Sequence, residues 1–279
     1  MINGEKFIKE KPIIDAHCHI FPPNIFNKIW QYFDEHYWYV KYKFYGEQIA
    51  EFYRKRGIER FTTLNYAHKP GIAERMNEYV RNFHKKHPES IPLGTIHPGD
   101  KKKERIIQTI LSSYDFKGIK LQLLVTDFFI TDKRLNQVFE IIEQEDKILV
   151  VHAGTGPLPN EYVGIKYFRK FLKKHPNMKI QVAHLGCYQY KQFFQLLDDY
   201  ENVYLDSAMI LVDHNVFDAK FNLDPHKLLE YEDRLLFGVD FPNIPYNFKK
   251  SYDNLFKFDF PQEFYEKLFY KNARNFYNL

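Results

Sequence analysis

Two histidines separated by one residue, His17 and His19, close the run Ile13-Ile14-Asp15-Ala16. Side chains alternate along a strand, so Asp15, His17 and His19 are expected on one face and Ile14, Ala16 and Cys18 on the other. Two imidazoles so placed can hold one metal ion, with Zn–N distances of about 2.0–2.1 Å. A bare His-x-His also occurs with only water for company, and the rest of the chain has to decide. Three further runs carry a ligand type in phase with inward apolar residues: His152 with Ile148 and Val150, His184 with Ile180 and Val182, and Asp240 with Leu236 and Gly238. Four histidines and an aspartate at four strand ends suit metal chemistry. A catalytic zinc takes about three protein ligands and keeps one position open.

Other groups carry weaker signals. Lys120 is in phase with an inward face, where an amine is costly unless it is paired or modified. Asp206 reads as a carboxylate that supports rather than reacts. Lys120, His97 and Phe21 are the candidate substrate contacts, and Asn65 and His68 lie near the same strand ends. Cys18 is expected to face the helices as a buried thiol, and Cys187 to fill space near the mouth. No Gly-x-Ser-x-Gly elbow is present, so nucleophilic serine chemistry is not expected.

These groups need strands to present them. Apolar runs at Pro12–Cys18, Arg60–Asn65, Ile91–Ile96, Lys117–Leu123, Lys147–Val151, Met178–Ala183, Val203–Asp206 and Arg234–Val239 alternate with amphipathic stretches. Those stretches include Ile72–His87, Lys101–Tyr114, Asp132–Asp146, Glu161–His175 and Tyr188–Tyr200, and Pro261–Leu279 closes the chain. Alternation of this kind gives parallel strands with helical crossovers. Eight units in 279 residues predict an α/β chain folded as one distorted (β/α)8 TIM barrel over residues 1–279, with the metal site at the C-terminal face of the strands. The first strand is followed by no glycine-rich phosphate fingerprint, which argues against a dinucleotide fold. Two helices end on the same phrase, Lys-Lys-His-Pro, at residues 85–88 and 173–176.

Composition narrows the class. Hydrophobic residues make up 44% and charged residues 27%, enough to bury a large core. No stretch approaches the ~20 apolar residues that span a bilayer, so no membrane partner is expected. The net charge of +4 carries no basic stripe with interleaved aromatics, so no nucleic acid is expected either. Two cysteines and a charged N-terminus without a signal peptide point to the cytoplasm. The connection Phe21–Tyr45 is dense in aromatics and is expected to form a lid or wall for a flat or apolar substrate. A homodimer contact is the competing reading of that segment.

The chain resembles the amidohydrolase-related family of the metal-dependent amidohydrolase superfamily. The matching phrases are Asp15-Ala-His-Cys-His19 with Phe21-Pro22, Gly118-Ile-Lys-Leu121, Val151-His-Ala-Gly154, Ala183-His-Leu-Gly186, Phe237-Gly-Val-Asp-Phe-Pro242 and Asn272-Ala-Arg-Asn-Phe276. The resemblance implies one divalent metal, most often zinc, held by His17, His19, His152 and Asp240 with His184 beside it. Many relatives carry a histidine where this chain has Gln122, so a fourth-strand substrate contact does not carry over. In binuclear members of the superfamily a lysine at the Lys120 position is carbamylated. One metal is favoured here. The expected reaction is hydrolysis of an amide, ester or lactone in a small molecule, with Asp240 as general base and His184 as acid or oxyanion stabiliser. The alternative is non-oxidative decarboxylation of an aromatic or unsaturated acid at the same site. A barrel that binds a ligand without turnover is the third reading.

Overall fold

The computed structural model describes residues 2, 4–212 and 223–279. Nine strand segments occur in it: β1 (Ile14–Asp15), β2 (Arg60–Thr62), β3 (Ser90–Ile91), β4 (Leu93–Gly94), β5 (Gly118–Gln122), β6 (Ile148–His152), β7 (Lys179–Val182), β8 (Val203–Asp206) and β9 (Leu235–Leu236). Every pairing between them is parallel. They run in two ladders, β1-β2-β3 and β4-β5-β6-β7-β8-β9. β3 and β4 are one strand interrupted at Pro92, which has no N–H to give a ladder. The ring closes between its first and last strands through Ala16 N to Phe237 O (2.8 Å), Asp240 N to His17 O (2.7 Å) and His19 N to Phe241 O (2.7 Å). The result is a distorted (β/α)8 barrel.

Helices follow the strands as the apolar spacing predicted. Ala73–Lys86 follows β2, Asn136–Gln144 follows β5, Ile165–Lys174 follows β6 and Tyr190–Asp199 follows β7. The repeated Lys-Lys-His-Pro phrase ends two of these helices in the same way. His87 packs on Phe83 and meets Glu47 Oε2 at 2.9 Å, while His175 packs on Phe171 and meets Glu143 Oε2 at 3.0 Å. In each case the histidine ties its helix end to a neighbouring helix, and the proline prevents continuation.

Two apolar clusters divide the interior. The larger lies between strands and helices and takes Ile13, Ile119, Leu121, Leu149, Val151, Ile180 and Val182. The smaller fills the barrel with Ile14, Ala16, Leu64, Ile91, Leu93, Ile148, Val150 and Leu236, and the last helix (Asn272–Tyr277) caps it with Ala273, Phe276 and Tyr277. Each large aliphatic side chain buried there contributes about 2 kcal/mol of transfer free energy.

This division corrects two expected strand faces. Ile14 and Ala16 point inward, whereas Asp15 accepts from Tyr53 OH (2.5 Å) on the helix Gly46–Arg54. The chain bends at Ala16, where Asp15 Oδ1 accepts the His17 N–H at 2.9 Å, and this brings His17 inward after all. On β7 the inward residue is Gln181, because Ile180 and Val182 belong to the outer cluster. Cys18 does face the helix layer and is fully buried.

Candidate metal centre

His17, His19, His152, His184 and Asp240 are all buried at the C-terminal ends of the strands. Ring centroids lie 5.2 Å apart for His17 and His19, 4.7 Å for His17 and His184, and 4.9 Å for His152 and His184. His184 reaches the group by an unusual route. After β7 the backbone enters four successive positive-φ residues, His184 (56°), Leu185 (51°), Gly186 (81°) and Cys187 (55°), which swing the imidazole inward. Gly238 makes room for His17, since a Cβ there would lie 2.8 Å from His17 Cβ.

Each imidazole is anchored through one nitrogen on an oxygen. His17 Nδ1 meets Asp206 Oδ2 (2.9 Å), His19 Nδ1 meets Leu64 O (3.2 Å), His184 Nδ1 meets Ala208 O (2.8 Å) and His152 Nε2 meets Gly156 O (2.9 Å). An N–H at the anchored nitrogen makes the opposite nitrogen of a neutral ring a lone pair. His19 Nε2 then lies 2.8 Å from Asp240 Oδ1, and His17 Nε2 lies 3.7 Å from the same oxygen. Lone pairs do not face a carboxylate at 2.8 Å without positive charge between them. Two adjacent imidazolium ions are a costly source of that charge, and one divalent cation serves both rings. Two ligands of a tetrahedral ion at about 2.1 Å stand roughly 3.4 Å apart, a spacing that the observed 2.8 and 3.7 Å bracket. Among the described residues, the groups able to hold an ion are His17-His19-Asp240 and His17-His184-Asp206.

The charge states agree with this reading. Burial alone would raise the Asp240 carboxyl, and positive charge on its His17–His19 side holds it well below the carboxylate range. With protonated rings that charge comes from the His19 hydrogen bond and the two imidazoliums, and with neutral rings a divalent cation would have to supply it. Burial, and then His17, bring His184 down to about 4. Burial and the neighbouring His184 also hold His152 well below the ordinary imidazole value. At neutral pH these last two rings are uncharged.

His152 stands outside the compact donor groups. Its Nδ1 lies 3.3 Å from Gln122 Nε2, the residue opposite it in the β5–β6 register. Lys120 sits one inward layer lower, opposite Val150, fully buried and with no hydrogen bond to Nζ. Burial brings its amine down to about 8 against the pull of Asp206 and Asp240.

Above the imidazoles opens a cavity of about 520 Å³. Its floor holds His19, His152, His184, Asp240 and Gln122, and its wall is the helix Pro23–His36 with Tyr37 and Trp38. The aromatic first connection is therefore a wall of the cavity. Of its two tryptophans only Trp38 lines the space, with Nε1 donating to Asn243 O at 2.7 Å; Trp30 stacks on Phe26 behind it. Lys28, Lys69 and His68 also line it.

Three candidate substrate contacts lie elsewhere. Phe21 is fully buried and stacks on the His19 ring at 5.7 Å, so it backs that imidazole and does not meet solvent. His97, three residues beyond the end of β4, packs on Phe128 and accepts the Gly99 N–H outside the cavity lining. Lys120 lies beneath the floor. Cys187, 3.9 Å from His152 Nε2, is fully buried, and burial pushes its thiol up to about 12, which suits a filler and not a nucleophile.

The amidohydrolase family model matches residues 14–279. The chain belongs to the amidohydrolase family. A comparison with curated proteins gave no significant match. Similar solved structures include an uncharacterised TIM-barrel protein from Bordetella bronchiseptica (20% identity, 95% of this chain and 98% of that one, TM-score 0.73). Another is 5-carboxyvanillate decarboxylase from Novosphingobium aromaticivorans, complexed with manganese and a nitrobenzoic acid (17%, 98% and 97%, TM-score 0.69). A third is a probable 2-pyrone-4,6-dicarboxylic acid hydrolase from Acinetobacter baumannii (12%, 96% and 99%, TM-score 0.66). Neighbours on this fold thus include a decarboxylase with manganese bound and a probable hydrolase. No helix among the described residues is long and apolar enough to cross a membrane.

Sequence reasoning missed Gln181, Tyr53 and Tyr277, each of which supports the centre from behind. A glutamine inside the apolar run Ile180-Gln-Val182 was the available signal for the first.

Proposed function

We propose that this amidohydrolase-family chain is a hydrolase of an amide, ester or lactone bond in a small, flat organic molecule, dependent on one divalent metal, with zinc the first candidate. The observation that carries the reading is the pairing of two proton acceptors at the foot of the cavity, the ionised Asp240 and the neutral His184. Hydrolysis begins by removing a proton from water, which such a site can do. His17, His19 and Asp240 would hold the ion, with His152 completing the set. A divalent cation there supplies Lewis acidity, lowering the pKa of water toward about 7 and polarising a carbonyl.

Asp240, ionised, accepts the proton of the attacking water. His184 keeps its Nδ1–H on Ala208 O, so its Nε2 takes that proton over from Asp240 and gives it to the leaving group. The neutral ring has no hydrogen at Nε2 for an oxyanion, so this role replaces the oxyanion one. The aromatic wall of Tyr32, Phe33, Tyr37 and Trp38 favours a planar substrate. Buried, unpaired thiols at Cys18 and Cys187 are compatible with a cytoplasmic setting.

A second reading, non-oxidative decarboxylation of an aromatic acid, draws on Lys28 and Lys69 in the cavity wall, which supply charge for a carboxylate. It needs proton delivery to carbon, and the two groups at the foot of the cavity, ionised Asp240 and neutral His184, are poised to accept a proton first. The test is a panel of esters, lactones, amides and hydroxybenzoates assayed with purified, metal-quantified protein. Hydrolysis that a chelator abolishes, and that Asp240→Asn lowers about 10³-fold, is expected. Carbon dioxide release without any hydrolysis would transfer the assignment to the second reading.

A further inference from the structure

We propose that Gln181 and Tyr277 are positioning residues that link the helix plugging the bottom of the barrel to the metal-binding face of His17. The inference rests on the metal reading above. Tyr277, in the last helix, is fully buried, and its hydroxyl donates to Gln181 Oε1. Gln181 is also fully buried, and its Nε2 donates to Asp206 Oδ2 at 2.6 Å and to Ala16 O at 2.9 Å. Asp206 Oδ2 in turn accepts from His17 Nδ1, while Oδ1 accepts the N–H groups of His184 (3.0 Å) and Ala208 (3.2 Å).

The direction of every bond in this chain is determined. Asp206 and the Ala16 carbonyl are acceptors only, so both hydrogens of the Gln181 amide turn toward them and its oxygen turns toward the bottom of the barrel. There it lies among apolar side chains, and the Tyr277 hydroxyl is the donor that meets it. Without that donor the amide keeps a buried lone pair unmatched, and rotating to relieve it opposes two oxygens to Asp206. Either outcome loosens the carboxylate that fixes the His17 tautomer. Such outer partners commonly change metal affinity about 10–100-fold.

The experiment measures Zn²⁺ affinity of the full chain by competition with a chromophoric chelator, together with the visible spectrum of the Co²⁺-loaded protein. Tyr277→Phe and Gln181→Leu are compared with Tyr265→Phe, which removes an equally buried hydroxyl that donates to Leu255 O away from the centre. Expected are a roughly tenfold or greater loss of Zn²⁺ affinity and a shifted Co²⁺ spectrum in the first two, with Tyr265→Phe like wild type. Circular dichroism checks folding, and Tyr277→Phe decides alone if Gln181→Leu does not fold. Wild-type binding with Tyr277→Phe within twofold of it overturns this inference only. A wild-type protein that takes up no Zn²⁺ overturns the metal reading and this inference together.

Discussion

Asp206 and His17, 189 positions apart in the chain, are joined by a 2.9 Å hydrogen bond from the Nδ1–H of His17 to Oδ2. That bond selects the ring nitrogen turned toward Asp240. Asp206→Asn cannot reproduce it. If the asparagine oxygen keeps the N–H groups of His184 and Ala208, its amide hydrogens face those of Gln181 and His17. Metal affinity should fall about 10–100-fold, read by chelator competition, with the fold retained by circular dichroism. Unchanged affinity would remove Asp206 from the support of the centre.

Under the proposed function, His152 and His184 have separable duties. His152→Ala should lower bound metal well below one ion per chain, measured by elemental analysis. His184→Ala should keep the metal and lose about 10²–10⁴-fold in kcat. The opposite pattern would make His184 the ligand.

Asp15 is a structural carboxylate at the bend before His17. Its oxygens take the N–H groups of His17 (2.9 Å) and Val239 (3.1 Å) and the Tyr53 hydroxyl. Burial, opposed by these bonds, raises its carboxyl to about 7. Asp15→Ala strands these buried donors and should cost about 3 kcal/mol in urea unfolding of the metal-free protein. Asp15→Asn, which keeps an acceptor for both N–H groups, should cost much less. Equal losses would show that volume and not hydrogen bonding matters there.

Trp38 faces the cavity and Trp30 faces away. Trp38→Ala should raise KM about tenfold for an aromatic substrate, the loss of one flat contact. Trp30→Phe should leave KM unchanged, and a KM effect confined to Trp30→Phe would contradict the wall.

Legibility from sequence followed the regularity of the backbone. β6 is an unbroken five-residue strand, so alternation placed Ile148, Val150 and His152 correctly. β1 is two residues followed by a bend, and alternation fails across a bend, which put Asp15 on the wrong face. His184 pointed inward for a reason alternation cannot express, since left-handed residues and not strand phase turn it. His97 lies beyond the end of β4, in a turn with Gly99 and Asp100, where strand phase no longer applies. The wall helix was readable in principle: Ile25, Lys28, Ile29, Tyr32 and Phe33 line the space at helical spacing, while Phe26 and Trp30 lie on the other side. The Tyr277 hydrogen bond depends on how the last helix docks, and no local pattern announces that.

The four consecutive positive-φ residues from His184 to Cys187 bear on how this scaffold can be re-engineered. Left-handed backbone costs about 1–2 kcal/mol at each non-glycine position, so the turn persists only because its surroundings hold it. An inserted residue or a β-branched replacement there would misdirect the imidazole before any substrate arrived. Libraries aimed at new specificity are therefore better randomised along the cavity side of residues 24–36, where ordinary helical geometry tolerates almost any side chain.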